Sequence, residues 1–271
     1  MSRSRAAGAG SPGRLTAVFS EGARAGRRAF IPYLTHGYPT PADTPRLLER
    51  LAETGADVIE LGVPFSDPLA DGPTIQRASW EALGQGVTLE GSLRLIAEMA
   101  DALPPIVLFS YLNPILGMGL DRFCESASAA GVAGILVTDL PVGADPEREG
   151  RLAAAGPEFI RLAAPTTSQA RLEEIARRAS GFLYYISRTG VTGSRPSLAG
   201  GLAEEVARLR RRVRLPVAVG FGISTPGQAR EVAGVADGVV VGSALIEALE
   251  RGESGFVELA TSLAEAVHEV G

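Results

Sequence analysis

Two carboxylates, Glu60 and Asp71, occupy one short stretch whose surroundings are wrong for ordinary surface acids. Glu60 lies inside Val58-Ile59-Glu60-Leu61-Gly62-Val63, an apolar, β-branched run of buried-strand length. An ionised group there loses hydration unless something compensates. Pro64 ends the run, and a loop carries Asp67 and Asp71 across its end before Gly72-Pro73 closes it. Taken singly, a loop aspartate caps a turn and a strand glutamate joins a structural ion pair. Taken together, a buried acid beside a second, wetter acid is how enzymes separate proton-transfer roles.

A second chemistry is written in glycine. The segments Arg188-Thr189-Gly190-Val191-Thr192-Gly193-Ser194, Gly220-Phe221-Gly222-Ile223-Ser224 and Gly242-Ser243-Ala244 each follow an apolar run. Glycines let backbone N–H groups approach a ligand closely, and helix N-termini aim positive dipole at it. Such loops also serve simply as tight turns. Three in succession favour phosphate binding, in the place where barrels often hold it.

What the composition lacks narrows the chemistry further. All 26 basic residues are arginine, and the only histidines are His36 and His268. Schiff-base and pyridoxal-phosphate catalysis need a lysine amine, so both are excluded. A histidine-built metal site is disfavoured. The net charge of −5 suggests neither a nucleic-acid surface nor an anionic membrane as partner. No apolar run reaches the length of a membrane span, and the single Cys124 cannot form an intrachain disulfide. The expected compartment is the cytoplasm. Residues 1–13 are basic and rich in small residues without an apolar core, and are expected to form a disordered tail rather than a signal peptide.

Apolar periodicity predicts the elements that position these groups. Strands are expected at 30–35, 58–63, 105–112, 134–139, 158–164, 182–187, 216–222 and 238–242. Helices are expected at 14–24, 44–54, 74–83, 89–103, 121–130, 145–155, 169–179, 202–212, 226–235 and 253–270. A weak echo, Gly55-Ala56-Asp57, Gly131-Val132-Ala133-Gly134 and Val235-Ala236-Asp237, leads helix ends into strands. Eight strands alternating with helices in a chain of 271 residues predict an α/β fold, a single (β/α)8 TIM barrel over 14–271 with a short N-terminal helix and extra helices. The alternative is a doubly wound open sheet, but no Gly-x-Gly-x-x-Gly follows the first strand. Strand ends then gather Thr35, Glu60, Tyr111, Asp139 and Ser187 at one mouth. Asp139 reads as a turn or cap residue and His36 as a loop or packing histidine. By strand parity Tyr184 and Ile186 face opposite to Tyr185, so one of the paired tyrosines reaches the mouth.

The stretch from Glu60 to Gln76, Glu-Leu-Gly-Val-Pro-Phe-Ser-Asp-Pro-Leu-Ala-Asp-Gly-Pro-Thr-Ile-Gln, resembles the signature of the tryptophan synthase α-subunit family. So do 187–193 and 220–224, in register over all eight strands. The resemblance implies a cofactor-independent, metal-free carbon–carbon lyase that cleaves indole-3-glycerol phosphate to indole and glyceraldehyde 3-phosphate. It implies Glu60 as catalytic acid/base, Asp71 as second carboxylate and Tyr184 beside them. Gly193, Gly222, Gly242 and Ser243 match the phosphate site. Tyr33, Thr35, Tyr111, Thr192 and Phe221 match the indole pocket and the hydroxyls that engage when loops close. Pro64, Asp67 and Asn113 match contacts with a β subunit in an αββα assembly.

The resemblance and the residues agree on mechanism. Retro-aldol cleavage needs a proton at indole C3, loss of one from the neighbouring hydroxyl, and stabilised charge at the ring nitrogen. Other readings are a lyase working alone, a weak regulatory partner, and other phosphate-binding barrels. Intact Glu60 and Asp71 argue against the regulatory reading, and the missing lysine against the last.

Overall fold

Apolar runs punctuated by proline and glycine become eight parallel strands: β1 (Ala29–Thr35), β2 (Ile59–Gly62), β3 (Ile106–Ser110), β4 (Gly134–Val137), β5 (Glu158–Ala163), β6 (Leu183–Ile186), β7 (Val217–Gly220) and β8 (Gly238–Val241). They pair in chain order, and β1 closes on β8 through Ala29↔Gly238 to Pro32↔Val241. The computed structural model describes residues 13–187, 199–220 and 222–270. The expected tail over 1–13 therefore falls almost wholly outside the described residues.

Helices α1 (Arg14–Arg24), α2 (Thr44–Glu53), α3 (Pro73–Gly84), α4 (Leu89–Met99), α5 (Leu112–Met118) and α6 (Leu120–Ala129) surround the first half. The second half carries α7 (Pro146–Ala153), α8 (Gln169–Arg178), α9 (Ala199–Arg210), α10 (Pro226–Ala233), α11 (Ser243–Glu250) and α12 (Glu253–His268). The closed barrel is the architecture expected from the sequence. No helix among the described residues is long and apolar enough to cross a membrane.

Two helices depart from the expected pattern. The third strand was expected to reach residue 112, but it stops at Ser110 and Leu112 opens α5. Asp139 Oδ1 accepts the Leu112 N–H at 2.7 Å, so a carboxylate after β4 caps a helix after β3. Pro114 fits the first turn, where its missing N–H is no loss. After β8, Ser243 opens α11 where only a glycine turn was expected.

Strand alternation divides the core in two. One set of side chains, including Phe30, Leu34 and Leu61, packs outward against the helices. The other, including Ile31, Val58, Val107, Phe182 and Val240, fills the barrel together with Leu15 and Phe19 of α1. Thus α1 plugs the amino-terminal end. Its first amides are held by Glu158 at the start of β5: Leu15 N–H donates at 2.7 Å and Thr16 N–H at 3.2 Å, and the Thr16 hydroxyl bonds the same carboxylate. The sequence echo also acquires a cause. Asp57 accepts the Phe30 N–H and Asp237 the Val217 N–H, each at 2.8 Å, so two of the three echoes fasten an amide at the start of a neighbouring strand.

Replacing Glu158 with Ala leaves those helix-start donors buried without an acceptor. Unfolding free energy in urea is expected to fall by about 2–4 kcal/mol. A loss below about 0.5 kcal/mol would mean that α1 docks through its apolar face alone.

Candidate active site

A cavity of about 440 Å³ opens at the carboxyl ends of the strands, and Tyr33, Glu60, Asp71 and Tyr184 all line it. Register sets the first contact, because Tyr33 on β1 pairs directly with Glu60 on β2. Two glycines make room for the phenols. A Cβ at Gly62 would lie 2.0 Å from the Tyr33 oxygen, and one at Gly220 would lie 2.5 Å from the Tyr184 oxygen. The Tyr33 ring meets Phe109 edge-on at 5.6 Å. One of the paired tyrosines reaches the mouth, as parity requires: Tyr184 lines the cavity, whereas Tyr185 donates to Glu205 at 2.8 Å.

Glu60 is 1% exposed, and its Oε1 has no hydrogen-bond partner among the described residues. Burial alone pushes its carboxyl up to about 8, so it holds its proton at neutral pH. Burial also raises the phenols of Tyr33 and Tyr184, with the nearby charges of Asp71 and Glu60 adding to the effect. Thr35 is fully buried behind this wall and donates to the Tyr33 oxygen at 3.2 Å.

Asp71 arrives on the loop between β2 and α3, and Tyr111 holds it there. The Tyr111 hydroxyl donates to Asp71 Oδ2 at 3.0 Å and accepts the Ala70 N–H at 3.0 Å. Phe65 packs on the Tyr111 ring with centroids 5.1 Å apart, and Gln76 Nε2 donates to the Asp71 carbonyl at 2.9 Å. Burial lifts Asp71 to about 6, opposed by the Tyr111 hydrogen bond. The two acids therefore differ in proton affinity for a structural reason. Glu60 has burial and no donor; Asp71 has burial and a donor.

The opposite rim is formed by Gly222, Ser224, Gly242 and Ser243. Ser243 begins α11; the Leu245 N–H already donates to the Gly242 carbonyl at 2.9 Å, which leaves the Ser243 and Ala244 amides without an acceptor within the helix. Thr192, Gly193 and Phe221 lie outside the described residues. Sequence reasoning missed the wall residues Phe109, Leu162 and Ile223 and the brace between α3 and α11. In that brace Thr74 donates to Glu247 at 2.9 Å, and Arg77 pairs with Glu250 at 2.6 Å. Parity along β3 and β5 would have found Phe109 and Leu162. Glu247 could not be found without α11.

The remaining expected residues sit outside the cavity. Pro64 and Asn113 line one surface cleft, and Asp67 lines a groove with the exposed Leu69 and Trp80. His36 is a packing residue: its Nδ1 lies 2.7 Å from the Ser92 hydroxyl, and burial lowers it to about 4.

A closed eight-stranded barrel with two acids lining the cavity at its strand ends places the chain in the (β/α)8 class. A profile of the tryptophan synthase alpha chain family matches residues 19–270. The tryptophan synthase alpha chain of Phenylobacterium zucineum is 50% identical over 237 residues, covering 86% of this chain and 85% of that one. That of Geobacter sulfurreducens is 47% identical over 239 residues, covering 88% and 90%. Among solved structures, tryptophan synthase of Mycobacterium tuberculosis superposes with a TM-score of 0.88 at 36% identity, covering 95% of this chain and 99% of that one. The subunit alpha structure from Legionella pneumophila gives 0.85 at 36% identity, covering 95% and 99%. The chain belongs to the tryptophan synthase alpha chain family.

The Glu60 environment makes a pH-linked prediction. Its folded value of about 8 exceeds the ordinary 4.5, so between these pH values the folded chain holds a proton that the unfolded chain releases. Stability from this group is complete below about pH 4.5 and is lost as pH rises through 8. Glu60→Gln removes the loss. The variant should gain on its parent by several kcal/mol between pH 5 and pH 9 in urea titrations, since each tenfold change in proton affinity is worth about 1.4 kcal/mol. Parallel stability curves would mean that Glu60 is not held protonated.

Proposed function

We propose that this chain is the α subunit of a tryptophan synthase, the lyase that splits indole-3-glycerol phosphate into indole and glyceraldehyde 3-phosphate. The observation that carries the assignment of roles is the unequal pair, a protonated Glu60 in the wall and a more acidic Asp71 held by Tyr111. Glu60 gives its proton to indole C3, leaving positive charge on the ring with its N–H directed to ionised Asp71. The Glu60 carboxylate then takes the proton of the adjacent side-chain hydroxyl. The carbon–carbon electrons return to C3, the aldehyde forms, and Glu60 is again protonated. One proton enters and one leaves, so no cofactor or metal is required.

Tyr33, Phe109 and Tyr184 supply the flat apolar wall for the indole ring. Gly222, Gly242 and Ser243, with Gly193, bind the phosphate through backbone amides and the α11 dipole. Thr192 is the proposed hydroxyl partner of Asp71. The clefts at Pro64, Asp67 and Asn113 receive a β subunit in an αββα assembly. The barrel over 14–271 is the catalytic unit, preceded by a short tail, and it works in the cytoplasm.

The test is indole release from indole-3-glycerol phosphate. Glu60→Gln should lower kcat by about 10²–10⁴-fold. The parent profile should be bell-shaped between about 6 and 8, the values for Asp71 and Glu60. A Glu60→Gln enzyme retaining most of its turnover would remove Glu60 from the mechanism.

Tyr111→Phe deletes the donor to Asp71 while keeping the ring. It should cut kcat by roughly 10–100-fold with a smaller effect on KM. It should also raise the acidic limb of the pH profile, because the hydrogen bond that favours ionised Asp71 is gone. An unmoved limb would show that Tyr111 does not hold Asp71 during catalysis.

A further inference from the structure

We propose that a pocket at the amino-terminal face of the barrel, opposite the catalytic mouth, binds a phosphate-type oxyanion between Arg28 and Arg214. The pocket is about 270 Å³ and lies where α1, the turn from α9 into β7, and the start of β8 meet. Its lining carries Arg27, Arg28, Arg210 and Arg214 against a single acid, Asp237. Local pairing does not neutralise them all. Arg27 is taken by Asp57 at 2.7 Å and Arg210 by Asp237 at 2.6 Å. Arg28 reaches only 4.0 Å from the already engaged Asp237, and its buried Nε has no hydrogen-bond partner among the described residues. Arg214 has no ion-pair or hydrogen-bond partner among them either.

Two guanidinium groups are thus left over in a concave site on a chain whose net charge is −5. Positive charge gathered against the sign of the whole molecule makes a local anion trap. The planar, always charged guanidinium fork matches phosphate oxygens, and it stays charged in a partly apolar setting where a lysine would lose its proton. That setting is present: the buried Phe19 and Val213 form part of the lining. Inorganic phosphate and the phosphate of a small phosphomonoester share the chemistry this site reads. An occupant would tie the residues entering β1 to those entering β7, on the face where α1 docks.

Calorimetric titration with inorganic phosphate at fixed ionic strength tests this. Gly222→Val removes close approach at the proposed catalytic phosphate loop, so binding that persists in that variant belongs elsewhere. There the chain should still take up one phosphate, and adding Arg214→Gln should weaken it by about tenfold. Arg214 is exposed, so its replacement is not expected to disturb folding. Adding Arg28→Gln as well should abolish the binding and the rise in Tm that phosphate produces. A parallel titration with glycerol phosphate separates the two sources: equal affinity assigns the site to any phosphate group, tighter binding to a phosphomonoester. Absence of phosphate binding in Gly222→Val, or equal affinity after Arg214→Gln, would overturn the proposal.

Discussion

A carboxyl group in the barrel wall with one oxygen bonded to nothing in the described chain sets the terms for the rest of the site. Closure makes it tolerable, because the strand backbone around Glu60 is paired on both sides, with β1 and with β3. The wall keeps its hydrogen bonds while one side chain goes without. Uncompensated burial disfavours the anion, so the group keeps a proton well above the usual carboxylate range. The neighbouring phenols do not relieve it. No hydrogen bond joins the Tyr33 or Tyr184 hydroxyl to Glu60 Oε1 among the described residues, although burial keeps both phenols neutral. Asp71 sits in the same cavity but hangs from a phenol that donates to it, and its proton affinity rises less.

Acids elsewhere in the barrel are treated in the opposite way. Glu158, Asp57 and Asp237 all accept backbone N–H groups at the amino-terminal end, and the two aspartates also meet arginine. Glu149 is buried yet crowded with donors: Arg161 pairs with it, and the Gly143 N–H reaches it at 2.7 Å. Arg161 also donates to the Leu140 carbonyl at 3.0 Å and stacks over Phe159, fixing the connection between β4 and α7. Carboxylates fasten the fold wherever donors surround them. Where donors are withheld, the carboxyl becomes a proton store.

Much of this was legible in the sequence because it rests on local pattern. Buried parallel strands read as apolar runs, and α1 and the start of α4 fall where expected. Glu60 stood out because an acid is rare in such a run, and the parity of Tyr184 follows from strand geometry alone. Where a distant residue decides a local structure, the sequence alone was not enough. The cap that starts α5 comes from Asp139, beyond an intervening helix and strand. The resemblance groups Tyr111 with the pocket and loop-closure residues, but the partners of its hydroxyl, Asp71 and Ala70, lie on another loop and could not be read from its own stretch. The start of α11 was hidden by a Gly-Ser pair that resembled a turn.

The helix stoppered into the amino-terminal end turns the barrel into a flask rather than a pipe. With Leu15 and Phe19 seated among the inward side chains, the cavity opens at the other end, and whatever diffuses in must leave past the same rim. Traffic in both directions therefore crosses the loop that carries Asp71 and the turn that opens α11, and those two are braced to each other through Thr74 and Glu247. A neighbour seated on that rim would stand in the path of reactant and product alike without reaching the reacting atoms.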